Sequence, residues 1–159
     1  MIKISKVFTL CLMAFFAVTS CNSTKQKSCL FDASRFSYGI SPQEVIKIMG
    51  EKPDSAFNKS ILGKERYILL YFDKDSTEFR FAKNKLLEFI VHKPNFPFTP
   101  NTIAELNLPI LQPTQMDTTA FIKWYHAYRN FDVVNFYLVG SKKDERTVRY
   151  NMYFKLKGN

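Results

Sequence analysis

The chain has 159 residues, 46% of them hydrophobic and 23% charged, which fits one folded domain and excludes a disordered or collagen-like chain. Sixteen Phe and eight Tyr supply a dense core, whereas five Gly and two His leave little material for a glycine-rich phosphate loop or a histidine-rich metal site. The net charge of +9 suits anionic surfaces such as lipid headgroups, although plain solubility with a Lys/Asn/Ile-rich codon bias accounts for it more simply.

Residues 1–20 have the layout of an export signal. Lys3 and Lys6 precede an uncharged run of twelve residues, Val7–Val18. That run is shorter than the roughly 20 residues of a spanning helix and fits the hydrophobic stretch of a secretory signal. Val18-Thr19-Ser20-Cys21 follows and resembles a bacterial lipobox, in which the Cys thiol is diacylated and becomes the first residue. Cleavage by a general signal peptidase at the same bond is the competing reading, and it leaves Cys21 free to pair with Cys29. Acylation consumes the Cys21 sulfur and leaves Cys29 a lone thiol. Removing the signal takes two of the 23 cations and leaves +7 on the remaining 139 residues. Asn22 after the Cys, in place of Asp, matches outer-membrane sorting in enteric bacteria. Residues 21–29 form the lipidated Cys and a polar leash, and 30–159 form a single domain.

The strongest local signal follows. Ser41-Pro42-Gln43-Glu44 reads as a capping box with Pro at the first helical position, Ile40 and Val45 occupy the staple positions, and Gly50 closes a short helix over Pro42–Met49. From Arg66 the period becomes two. Tyr67–Phe72 is a nearly all-apolar central strand, and Asp73–Ser76 turns. Thr77–Ala82 alternates, with Phe79 and Phe81 inward. Lys83-Asn84 turns, and Lys85–His92 places Leu87, Phe89 and Val91 on one face. Pro94, Pro97, Pro100, Pro109 and Pro113 mark a connector with one helical turn over Thr102–Asn107. Phe121, Trp124, Tyr125 and Tyr128 at i, i+3, i+4, i+7 predict a helix over Thr118–Arg129, capped by Asp117, with a strand as the alternative. Val133–Val139 is a buried strand and Gly140–Glu145 a charged turn. Arg146–Lys157 alternates most cleanly of all, with Val148, Tyr150, Met152, Phe154 and Leu156 on one side. The order helix-then-meander is loosely echoed by helix-then-hairpin.

Chemistry-bearing patterns are sparse. H-E-x-x-H, G-x-S-x-G, C-x-x-C and the P-loop signature are absent from the sequence. His92 and His126 read as structural. Asp73–Glu78 begins like a calcium loop but has Glu78 and Asn84 where Gly and Glu belong, so the acids read as turn residues. No catalytic residue, cofactor, metal or nucleic-acid partner is assigned. The candidate binding surface for anionic groups is Lys142, Lys143, Arg146, Arg149, Lys155 and Lys157, against the plainer reading of a solvated sheet face.

Gly39-Ile40-Ser41-Pro42-Gln43-Glu44-Val45, then Ile48-Met49-Gly50 and Pro53-Asp54, resembles the opening of BamE-like (SmpA/OmlA) domains. The aromatic meander over Tyr67–His92, its Asn84-Lys85-Leu86 turn and the lipobox extend the resemblance, which covers Gly39–His92. Glu51-Lys52 inserts an extra residue before Pro53, and 93–159 extends past the usual core, as in a larger or tandem relative. The resemblance implies a small helix-on-sheet module that binds envelope proteins or lipid, with no catalytic residue carried over.

The expected fold is α+β: a curved antiparallel sheet of about five strands with short helices on one face. The expected function is that of a lipid-anchored, non-enzymatic module of the bacterial envelope, facing a protein partner or anionic lipid, most simply at the outer membrane. The alternative is a periplasmic carrier holding a small apolar ligand under the sheet.

Overall fold

The computed structural model describes residues 31–61, 65–139 and 149–158. The expected signal over 1–20, the expected lipidation of Cys21, the expected leash with Cys29, and Lys142, Lys143 and Arg146 of the candidate binding surface lie outside them.

Eight strands form one antiparallel sheet: β1 (Ser55–Ile61), β2 (Glu65–Phe72), β3 (Thr77–Ala82), β4 (Lys85–His92), β5 (Gln115–Asp117), β6 (Phe121–Tyr128), β7 (Phe131–Leu138) and β8 (Tyr150–Leu156). Their spatial order is β1-β2-β3-β4-β8-β7-β6-β5. Each half is therefore a four-stranded meander that starts at an outer edge and ends at the central β4–β8 seam. Helix α1 (Pro42–Met49) precedes the first meander, and a 3₁₀ segment (Pro100–Leu106) precedes the second. The two halves thus share a helix-then-meander order, although the second helical element is the 3₁₀ segment and not the Thr118–Arg129 helix of the sequence echo, and residues 93–159 carry half the sheet.

The α+β expectation with about five strands is overturned: this is an all-β architecture. The five expected strands are present, and β1, β5 and β6 are added. The residues read as a helix over Thr118–Arg129 are β6 and the turn before it. Ile122, Trp124 and Tyr128 point into the core, while Phe121 and Tyr125 face the other side. The helical look comes from a bulge. The register slips between Tyr125 and Tyr128, and His126 takes the left-handed region at φ +51°. Trp124 and Tyr128 then share the core face four residues apart, as they would on a helix. A matching slip lies between Phe131 and Val133 of β7. A third slip, between Arg80 and Phe81, corrects the expected face of β4. Leu86 fills the core with Phe89 and Val91, and Leu87 is only half-buried.

Helix α1 forms as its sequence dictates. Ser41 Oγ accepts from Glu44 N at 3.3 Å, and Glu44 Oε2 accepts from Ser41 N at 2.7 Å. Gly50 ends the helix at φ +74°, a region that costs other residues strain. The helix buries Val45 against the sheet. In the second half the covering layer is the proline-rich connector, pinned by side chains reaching from the sheet. Trp124 Nε1 donates to Leu111 O at 3.0 Å, Tyr128 Oη to Pro109 O at 3.2 Å and Tyr150 Oη to Pro97 O at 3.2 Å. These bonds satisfy polar tips inside an apolar layer. Burial pushes the Tyr128 hydroxyl up to about 12.

The core is a ring cluster centred on the seam. Phe89 and Phe154 are register partners and stack at 4.5 Å. Phe31, Phe36 and Phe79 pack on Phe89 from the first half, and Phe131 packs on it from the second. The two meanders thus share one core.

Candidate partner-binding face

The other face of the sheet has no helix over it among the described residues. Strand alternation places Leu69 and Tyr71 of β2, Glu78 and Arg80 of β3, and Glu88, Ile90 and His92 of β4 on this side. Across the seam it continues with Asn151, Tyr153 and Lys155 of β8, Val133, Asn135 and Tyr137 of β7, and Phe121, Lys123 and Tyr125 of β6. Phe57 of edge strand β1, opposite Leu69, adds an exposed ring.

Arg80, Glu78, Glu88 and His92 of this face lie against one another. Arg80 Nη1 lies 2.5 Å from Glu88 Oε1 and its Nη2 3.7 Å from Glu78 Oε1. His92 Nε2 is 3.8 Å from Glu78 Oε2, and its ring lies 6.2 Å from that of Tyr71. Tyr153 Oη donates to Glu88 Oε2 at 2.5 Å across the seam. Burial, then the hydrogen bond to Glu88 and its negative charge, hold the Tyr153 hydroxyl well above the usual phenol range. Asn151 Nδ2 donates to Tyr137 Oη at 3.4 Å, and Asn151 Oδ1 accepts from Lys93 N at 3.2 Å. Lys123 Nζ sits 4.9 Å from the Phe121 ring centre and 5.6 Å from that of Tyr125. The Asn135 side-chain oxygen is buried among these groups without a hydrogen-bond partner among the described residues. Networked rings and charges are already ordered, so a docking partner loses less side-chain freedom in binding them.

Of the sequence-derived cationic surface, the described residues are Arg149, Lys155 and Lys157, which are spread along β8 and just beyond its ends. Lys155 is exposed on the open face, but its cross-strand neighbour is Glu88, whose acidity no reading of β8 alone reveals. Lys157 is exposed beyond the end of β8, where its N–H donates to Asn130 O at 3.0 Å. Arg149 is exposed at the opposite end of that strand. His126 Nδ1 lies 3.5 Å from Asp132 Oδ1 and bridges the β6–β7 bulge.

Among the described residues, surface clefts of about 280, 320 and 470 Å³ open around residues 31–38, and neither histidine lines them. The layer between the sheet and its cover, where the alternative reading places an apolar ligand, is rich in buried rings, and the cleft of about 320 Å³ opens between Leu108 and Pro109 of the connector and Tyr128 and Phe131 of the sheet. Trp124, Tyr150 and eight Phe rings head the largest fully buried side chains there. Among the described residues no group of three or more His, Cys, Asp or Glu could hold a metal ion, and no helix is long and apolar enough to cross a membrane.

The face was hidden in the sequence because β6 read as a helix. With strand alternation, Phe121, Lys123 and Tyr125 fall on one side and signal it. In comparison with known proteins, the chain matches no family model, no curated protein and no solved structure.

Proposed function

We propose that the chain is a lipid-anchored lipoprotein of the bacterial envelope that binds another envelope protein through the open face of its sheet, without catalysing a reaction. The observation that carries this reading is the character of that face: Tyr and Phe rings set among networked charges, Arg80 against Glu78 and Glu88 and Lys123 over Phe121 and Tyr125. Aromatic residues and Arg are the groups enriched where proteins meet. Among the described residues there, Glu78 and Glu88 offset two of the three cations, Arg80, Lys123 and Lys155, so the face has only a small net charge. The anchor half of the reading rests on the apolar run Val7–Val18 and on Val18-Thr19-Ser20-Cys21. Two acyl chains, at about 0.8 kcal/mol per buried methylene, hold a protein durably at a bilayer. The helix-then-meander order behind the BamE-like resemblance supports a binding module of the same kind.

The test is photo-cross-linking in cells that make the full chain, with a photoreactive phenylalanine in place of Phe57, Tyr125 or, as control, Gln43 on the exposed side of α1. The reading expects one discrete protein adduct shared by Phe57 and Tyr125 and absent at Gln43. Adducts at Gln43 with none at the two face positions contradict it.

A further inference from the structure

We propose that one end of the sheet is a second surface, which docks onto the phosphates of an anionic lipid bilayer. Antiparallel pairing in the order β3-β4-β8-β7-β6 brings the close of β3, the start of β4, the close of β8 and the β6–β7 turn to the same end. That end carries Lys83, Lys85, Lys157 and Arg129, all exposed and none in an ion pair among the described residues. At about 4.8 Å per strand they form a row roughly 15–20 Å long. The opposite end has the other character. Asp54, Asp73, Asp75 and Asp117 lie there, mixed with Lys74, Lys93 and Arg149. Among the described residues, the acids beside the cationic row include Asp132, which faces His126, and Asp32, which bonds Ser34 next to Asn130. Among the described residues the two ends of the sheet therefore differ in charge, and an anionic plane favours the end with the cationic row.

Two features at that end fit phosphate headgroups. The cleft of about 470 Å³ is lined by Ser37, Tyr38, Arg129, Asn130, Lys157 and Gly158, which bring two cations and several neutral donors together with no carboxylate among the described lining residues. Tyr38 is 37% exposed beside Gly158, and an amphipathic ring suits the depth of a membrane interface. The leash permits the contact. Residues 22–30 reach about 30 Å when extended, more than the roughly 26 Å length of an eight-residue strand. The proposal takes only proximity from the anchor and does not depend on the open face.

Vesicle sedimentation tests it with the chain from residue 21 carrying Cys21→Ser, which retains every described residue and has no acyl group to bind membranes on its own. Binding is expected to phosphatidylcholine vesicles containing phosphatidylglycerol, to fall as salt rises, and to be absent from pure phosphatidylcholine. R129S/K157S should weaken it about 25-fold, at roughly fivefold per cation, while R129K/K157R retains it. K83N/K85S reads the same row should the first pair disturb folding, which circular dichroism reports. K74S, at the other end, should bind as the parent does. Equal binding to both vesicle types, equal loss in K74S, or capture of inorganic phosphate without vesicle binding overturns the proposal.

Discussion

Truncating Phe89 to Ala should weaken both halves of the sheet together, although Phe89 belongs to the first. Its ring is fully buried and lies 5.5 Å from Phe79 in its own meander, 4.5 Å from Phe154 and 6.0 Å from Phe131 in the other. Loss of a buried Phe with partial collapse of its site costs about 3–5 kcal/mol. The stacked contact across the seam places this site toward the upper end, at about 4–5 kcal/mol. Total stability is on the order of 5–15 kcal/mol, so F89A stands near the limit of folding, and F89L, at about 1–2 kcal/mol, is the safer companion. With a urea slope of about 2 kcal/mol per molar, the midpoint should fall by about 2 M for F89A and by about 0.5–1 M for F89L. The assay is urea unfolding followed by the single tryptophan and by far-ultraviolet circular dichroism. Trp124 is buried in β6, in the half that does not contain Phe89. One shared core requires both signals to shift equally. A Trp124 transition that stays in place while the dichroism signal splits in two would refute the reasoning.

Other outcomes follow from single contacts. Ser41→Ala removes the cap of α1 and should cost about 1 kcal/mol, read as a lower urea midpoint. Hydrogen bonds from the Ser41 backbone and hydroxyl hold the Glu44 carboxyl below its ordinary 4.5. A depressed carboxylate adds stability above its unfolded value that is lost as pH falls through its folded value. The capping contribution should therefore be complete above about pH 4.5 and fade below it, and E44Q should remove that dependence in acid unfolding. Glu88→Gln takes away the charge that Tyr153 donates to, so Tyr153 should ionise at lower pH in an ultraviolet phenolate titration, although burial keeps it above an exposed tyrosine. An unmoved Tyr153 would mean the cross-seam bond does not form.

Local chemistry made part of this fold readable. Ser41, Pro42, Glu44 and Gly50 each state a role within one helical turn, and Thr77–Ala82 alternates without interruption. Lys83-Asn84 forms its turn with both residues at positive φ. What was hidden depends on residues far apart in sequence. Strand β1 carries no clear alternation in Ser-Ala-Phe-Asn-Lys-Ser-Ile and becomes a strand by pairing along β2. Strand β6 looks helical because its bulge throws His126 out and brings Tyr128 back inward. The cations of β8 look like one patch until strand order sets Glu88 beside Lys155 and groups Lys157 with Arg129, Lys83 and Lys85. Charge on a strand is local information, whereas the charge of a surface belongs to the sheet.

In the proposed function, an anchor at Cys21, the aromatic face and the cationic end together would hold the chain at a bilayer with its face presented to a neighbour. The lipid is the part on which the location depends. Intact mass of the chain extracted from membranes tests it most directly. The account expects a chain beginning at Cys21 that carries a diacylglyceryl adduct, with or without a third acyl chain. A soluble, unmodified chain released from the cell would contradict it.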